Sequence, residues 1–261
     1  MSLTKTLAPR LSLSLTSLSA RSTHVHSTPT RLYSTPPTRP IAQQCPKCST
    51  PNPLPTTPCQ SCSTLLPLPH GLSHHSMLDL SQPIPASPAF SSAFDLPAEL
   101  AKLPAYGYSI DVKDARQRML RKQQTLHPDR YASQGDRVVS LARELSGRVN
   151  EAYSVLADPL KRAEYLLSAH ALATEETDSI TDPLLLAEIL EAREELESAT
   201  TEEEVTALRE ANHEKVEATI QAITEAFSTD PPNFTQAKHL ATQLRYWQGL
   251  EKAAREWSPS S

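Results

Sequence analysis

Apolar residues fall into helical spacing only beyond about residue 110. Val112, Ala115, Met119 and Leu126 form one stripe, and a long run of β-branched alternation is missing throughout. Asp111, followed three residues later by Asp114, supplies an N-cap in the manner of a capping box. Pro128 disfavours helical geometry at the residue before it, so the spacing predicts a helix over 112–126. Val138, Leu141, Leu145, Val149, Ala152 and Leu156 predict a second helix over 137–157, stopped before Asp158-Pro159. After an acidic linker at 174–181, Asp182-Pro183 reads as N-cap and first residue of a further helix. Its core stripe is Leu185, Ile189, Ala192 and Leu196. The neighbouring stripe, Leu186, Leu190, Arg193 and Glu197, begins apolar and ends charged. Leu186 and Leu190 are therefore surplus to one buried face and are expected to form an exposed patch. The pattern continues as helix over 202–227. A last helix follows Asp230-Pro231-Pro232, with Leu240, Leu244, Trp247 and Ala254 inward and Tyr246 on a more polar side. The expected fold class is all-α: a helical hairpin, then an antiparallel three-helix bundle.

Composition divides the chain of 261 residues unevenly. Of its 23 prolines, 17 lie at or before Pro104, and there are only 5 glycines. Residues 1–33 are rich in Ser, Thr and Leu, carry Arg and hold no acid; the first acidic residue of the chain is Asp79. This is the composition of an organellar presequence. The leucines at 11–18 are interleaved with Ser and Thr, which speaks against a secretory signal. Arg31-Leu32-Tyr33-Ser34 looks like a mitochondrial cleavage site, and cutting there shifts the formal charge from −5 to about −9. Residues 65–89, rich in Pro, Ser and His, read as a flexible linker in which His70, His74 and His75 are solvated. No apolar run approaches the roughly 18 residues of a membrane span.

Cys45-Pro46-Lys47-Cys48 and Cys59-Gln60-Ser61-Cys62 are two CxxC pairs ten residues apart. Two such turns supply four sulfurs for a tetrahedral metal, and the Pro/Thr-rich stretch between them has no core of its own. Structural zinc is the leading expectation. Iron, or an iron–sulfur cluster, also suits four thiolates, and redox thiols are a further reading, though no βαβ unit surrounds them. The basic flanks Arg39 and Lys47 are too sparse to indicate nucleic acid.

Between the first two helices stands His127-Pro128-Asp129, preceded by the cations Arg118, Arg121 and Lys122. With Leu126, Arg130-Tyr131, Asn150-Glu151-Ala152-Tyr153 and Asp158-Pro159, the tripeptide resembles a J-domain. The run Arg162-Ala163-Glu164-Tyr165-Leu166-Leu167 narrows the resemblance to the HscB iron–sulfur cluster co-chaperones, over about residues 90–257. The resemblance implies that His127, Pro128 and Asp129 trigger ATP hydrolysis by a seventy-kilodalton heat-shock chaperone of the mitochondrial matrix. It implies that Arg118, Arg121 and Lys122 dock on that chaperone's acidic surface. Arg193-Glu194-Glu195-Leu196-Glu197 sets the register that places Leu186, Leu190 and Tyr246 on the family's contacts with the iron–sulfur scaffold protein. Ala187 stands where some members carry a larger apolar residue, and His170-Ala171 where members commonly have glycine. The four-cysteine segment resembles that of animal members.

The expected organisation is therefore presequence 1–33, four-cysteine zinc segment 34–64, linker 65–89, J-domain 90–172 and scaffold-binding helical domain 173–261. Such a chain has no active site, binds no nucleotide, nucleic acid or membrane, and activates an ATPase carried by another protein. A competing reading makes it an electron carrier or cluster donor acting through iron at the four-cysteine site. A third, a general folding J-protein, needs a broad apolar groove that the mostly charged C-terminal helix faces do not offer.

Overall fold

The computed structural model describes residues 42–81, 96–174 and 182–258. The presequence with its cleavage site and most of the acidic linker lie outside the described residues. Two three-residue strands, β1 (Ala42–Gln44) and β2 (Pro51–Pro53), pair antiparallel, with Gln43 opposite Asn52. Helices follow: α1 (His74–Met77), α2 (Leu96–Leu100), α3 (Val112–Leu126), α4 (Asp136–Ala157), α5 (Pro159–Ser168), α6 (Pro183–Ser198), α7 (Glu202–Ser228) and α8 (Phe234–Glu256). All described residues belong to one unit, Thr38–Ser261. Among them, no helix is long and apolar enough to cross a membrane.

The helix starts follow from local chemistry. Asp111, Asp158 and Asp182 each turn a carboxylate back onto two backbone N–H groups of the first turn that have no partner within the helix. Thr201 and Glu204 close a capping box on α7. Helices α3 and α4 form the expected hairpin, joined by a 3-10 turn at Pro128–Gln134. Its core holds Ala115, Leu126, Leu145, Val149, Ala152 and Leu156, with Tyr131 closing the tip. Gln123 ties the two helices together, donating to Ser146 O at 2.8 Å and to Asn150 Oδ1 at 2.7 Å. In α7 and α8 the partners run in opposite directions, Asn212 meeting Trp247 and Phe227 meeting Phe234, so the pair is antiparallel.

The linker expected at 65–89 is corrected over its described part. Leu65, Leu66, Leu68, Leu72, Met77 and Leu78 are buried, most of them in the same core as α3 and α4. Their burial outweighs the local Pro/Ser content, because each apolar side chain removed from water gains about 1.5–3 kcal/mol. Arg148 of α4 clamps the segment by donating to Leu68 O at 2.8 Å and Pro69 O at 2.6 Å. His75 is 1% exposed rather than solvated. Its Nε2–H donates to Gly107 O at 2.8 Å, and burial lowers its pKa from the ordinary imidazole value. A Cβ at Gly107 would come within 2.9 Å of that ring, and Gly107 sits at φ +86°, so glycine is required on both counts. His74 is half-buried under Tyr165, whose hydroxyl accepts its backbone N–H at 3.3 Å.

A second core joins the hairpin region to the C-terminal helices. Ala163, Leu166 and Leu167 of α5 pack with Phe227, Ala237, Ala241 and Leu244 of α7 and α8. Arg245 reinforces the seam with an ion pair to Glu164 at 2.9 Å. Ala171 adopts φ +56°, the left-handed conformation that suits the glycine expected at this turn. Next to it, His170 stacks on Phe234 with ring centroids 3.9 Å apart and contacts Tyr106.

Candidate functional site

Helix α3 ends because Pro128 follows His127, and that places His127 at the tip of the hairpin. The His127 side chain accepts from Asp129 N at 3.4 Å, and its Nδ1 lies 3.5 Å from Asp129 Oδ2. Their side chains are 57% and 90% exposed. Tyr131 supports the loop from below by donating to Thr125 O at 3.1 Å. The geometry presents one imidazole and one carboxylate to solvent on a proline-stiffened turn.

The cations of α3 are not simply solvated. Arg118 pairs with Asp114 at 2.7 Å and donates to Asp79 O at 2.7 Å. Lys122 reaches Asp79 Oδ2 at 2.9 Å. Arg121 is exposed, and among the described residues its side chain makes only a long contact, 3.4 Å, to the backbone of its own helix. Asp79, the first acid of the chain, is the residue that sequence reasoning missed here. It lies 39 residues before Arg118, and only the packed 65–81 segment brings it near.

The four cysteines converge. The Sγ atoms of Cys45, Cys48, Cys59 and Cys62 lie within 4.8 Å of one another, with Cys45–Cys62 at 3.5 Å and Cys48–Cys59 at 3.6 Å. Tetrahedral ligation at about 2.3 Å per bond requires sulfurs about 3.8 Å apart, so the set fits a metal ion. All four are free thiols. Each pair sits on the same turn: Cys45 N donates to Thr50 O and Ser49 N to Cys45 O, while Cys59 N donates to Thr64 O and Ser63 N to Cys59 O. Ser49 and Ser63 both take φ +57°. The side chains of Thr50 and Thr64 lower the pKa of Cys48 and Cys62, which favours the thiolate a metal needs. Burial raises that of Cys45. Asn52, wholly buried, donates to Thr50 O at 2.8 Å and approaches Cys59 Sγ at 3.4 Å, and its Oδ1 accepts from Gln60 N at 3.0 Å. It stitches one cysteine turn to the other. An asparagine between two prolines gave no signal in the sequence.

On α6, Leu186 and Leu190 are 41% and 52% exposed, while Ile189, Ala192 and Leu196 are buried as expected. Leu184, 81% exposed, extends the apolar surface toward the helix start and was not singled out by the stripe argument. Tyr246 of α8 is half-buried against the α6–α8 core, so it lies at the edge of that surface rather than on open solvent. The motif run at 162–167 proves structural: Arg162 lies over the Tyr108 ring at 4.8 Å, and Ala163, Leu166 and Leu167 are fully buried.

Comparison with known proteins agrees with this architecture. Residues 181–255 match the family model of the HSCB C-terminal oligomerisation domain. The J-type co-chaperone JAC1, mitochondrial, of Saccharomyces cerevisiae is 30% identical over 164 residues, 60% of this chain and 83% of that protein. The iron-sulfur cluster co-chaperone protein HscB of Homo sapiens is 29% identical over 146 residues, 56% of this chain and 61% of that protein. The crystal structure of human co-chaperone protein HscB superposes with a TM-score of 0.63 at 22% identity, covering 82% of this chain and 97% of that one, a likeness of fold.

Proposed function

This chain belongs to the HscB family of co-chaperones, and from that premise we propose that it delivers an iron–sulfur cluster scaffold protein to a seventy-kilodalton heat-shock chaperone of the mitochondrial matrix and stimulates its ATPase. The observation that carries this is the exposed His127-Pro128-Asp129 loop at the tip of α3 and α4, flanked by the cations of α3. The chain itself catalyses nothing. By binding one chaperone state better than another it shifts that protein's conformational equilibrium. The scaffold binds at Leu186 and Leu190, with Tyr246 at the rim, and hydrolysis then locks it onto the chaperone. The four-cysteine knuckle holds structural zinc, a closed four-thiolate site with a folding rather than a catalytic role.

The two docking surfaces separate in one experiment. His127→Gln abolishes stimulated ATP hydrolysis and leaves scaffold binding intact; stimulation by that variant at the wild-type level sinks the J-domain assignment. Leu186→Ala with Leu190→Ala and Tyr246→Ala weakens scaffold binding by roughly 2 kcal/mol or more, as loss of apolar anchors does at interfaces. Circular dichroism is the control, since lost helicity would mark these residues as core.

A further inference from the structure

The space in front of α3 is walled on two sides. Arg118, Arg121 and Lys122 line one side of a groove of about 460 Å³, and Thr56 and Thr57, from the loop between the two cysteine turns, line the other, with Asp79 between. The loop is held from several directions. Thr56 N donates to Pro53 O at 2.8 Å, the Thr57 hydroxyl donates to Leu66 O at 2.8 Å and accepts from Leu66 N at 3.0 Å, and Leu54 is buried in the hairpin core. Asp79 is set in the left-handed region at φ +55°, with its N–H bonded to Ser76 O at 3.0 Å. That conformation turns both its carbonyl and its carboxylate onto α3, to Arg118 and Lys122 respectively. Asp114 pairs with Arg118 and the Asp79 carboxylate with Lys122, while Arg121 has no carboxylate partner among the described residues, so the three cations outnumber the acids by one.

We propose that this groove, rather than α3 alone, is the docking surface for an acidic segment of the chaperone, with the Thr56–Thr57 loop as its second wall and Asp79 as the internal acid that the partner's carboxylates displace. The inference rests on the function proposed above and gives the four-cysteine knuckle a role in it: the metal-held turns keep the second wall in place. Charge complementarity selects the occupant. The groove carries an excess of positive charge and already holds a carboxylate bound through its lysine.

The test uses the full chain with its metal, and reads the concentration that half-maximally stimulates ATP hydrolysis by a mitochondrial seventy-kilodalton chaperone. Thr56→Glu, which sets an acid on the knuckle wall, raises that concentration about tenfold, and Thr56→Lys lowers it, because like charge at an interface repels and opposite charge attracts. Asp79→Asn lowers it about threefold, as the competing carboxylate is removed, and all three effects shrink at high salt. Equal weakening by Thr56→Glu and Thr56→Lys would show mere damage to the knuckle and overturn the proposal. So would wild-type behaviour of both Thr56 variants while Arg121→Glu weakens docking, or a rise for Asp79→Asn. Competition by inorganic phosphate without any response to Thr56→Glu would identify a simple anion site and also overturn it. Failure of the wild-type chain to stimulate at all would sink the proposed function itself, and the inference with it.

Discussion

The α3–α4 hairpin and the cysteine knuckle touch each other, yet they are folded by different forces. The hairpin draws on periodic burial: Ala142, Leu145, Val149, Ala152 and Leu156 each fall on one face of α4 and each is fully buried. The knuckle has two three-residue strands, two turns and a core of little more than Cys45, Cys59 and Leu66. A sheet of that size is marginal in water, and so few buried atoms cannot offset the entropy of ordering the chain. Apolar patterning specifies the hairpin, whereas the knuckle brings together four thiolates that, on the proposed function, a metal would hold. The boundary between them is softened by Leu54, Leu65 and Leu68, which reach from the knuckle side into the hairpin core.

Metal removal is the strongest way to break this comparison. Chelation should unfold the knuckle and expose the amides of Cys45 and Cys59 to hydrogen exchange, since structural zinc contributes roughly 10–16 kcal/mol to small domains at neutral pH. Protection of the α3 and α4 amides should persist. Simultaneous loss in both regions would show that the knuckle and hairpin form one cooperative unit. The converse experiment is Leu145→Ala, a fully buried truncation expected to cost about 2–5 kcal/mol of stability in denaturant unfolding. Retention of the bound metal at denaturant concentrations that melt the variant's helices would confirm separate folding, and its release in step with them would refute it.

A smaller effect sharpens the boundary through pH. His75 is buried with its folded pKa lowered, chiefly by desolvation. An imidazole of this kind is neutral in the folded chain while the unfolded chain takes up a proton below about 6.5. Its contribution to stability is present above that value and declines as pH falls through it toward the lowered folded pKa. Acidification should therefore release the 74–78 segment before the hairpin opens, seen as early exchange of Met77 and Leu78 amides. His75→Asn should remove the acid step, and an unaltered step in that variant would assign it to another group.

The hairpin, its loop and the C-terminal helices were legible because each rests on local signals. Asp182-Pro183 marks a start, prolines mark stops, and stripes at helical spacing mark buried faces, whereas α5, which starts at the Asp158-Pro159 read only as a stop, was not anticipated. The CxxC pairs were equally legible, since a metal set needs only spacing. The 65–81 segment was misjudged for a related reason. It is not periodic, and its leucines bury one by one against α4, so composition suggested a linker where packing made core. Tyr246 illustrates the limit from the other side: its stripe position is correct, and its half-burial depends on how α8 crosses α6.

By itself the sequence determined where the five longest helices run, which loop carries His127-Pro128-Asp129, which four sulfurs can meet and which leucines of α6 exceed a single buried face. All of these follow from the short-range geometry of the backbone. Only the tertiary structure decided that Asp79 faces Arg118 and Lys122, that Thr56 and Thr57 stand across from them, that Asn52 joins the cysteine turns and that α5 shares a core with α7 and α8. Apart from the Asn52 bonds, which span seven and eight positions, those contacts pair residues tens of positions apart, and their energy appears only once burial has brought the segments together.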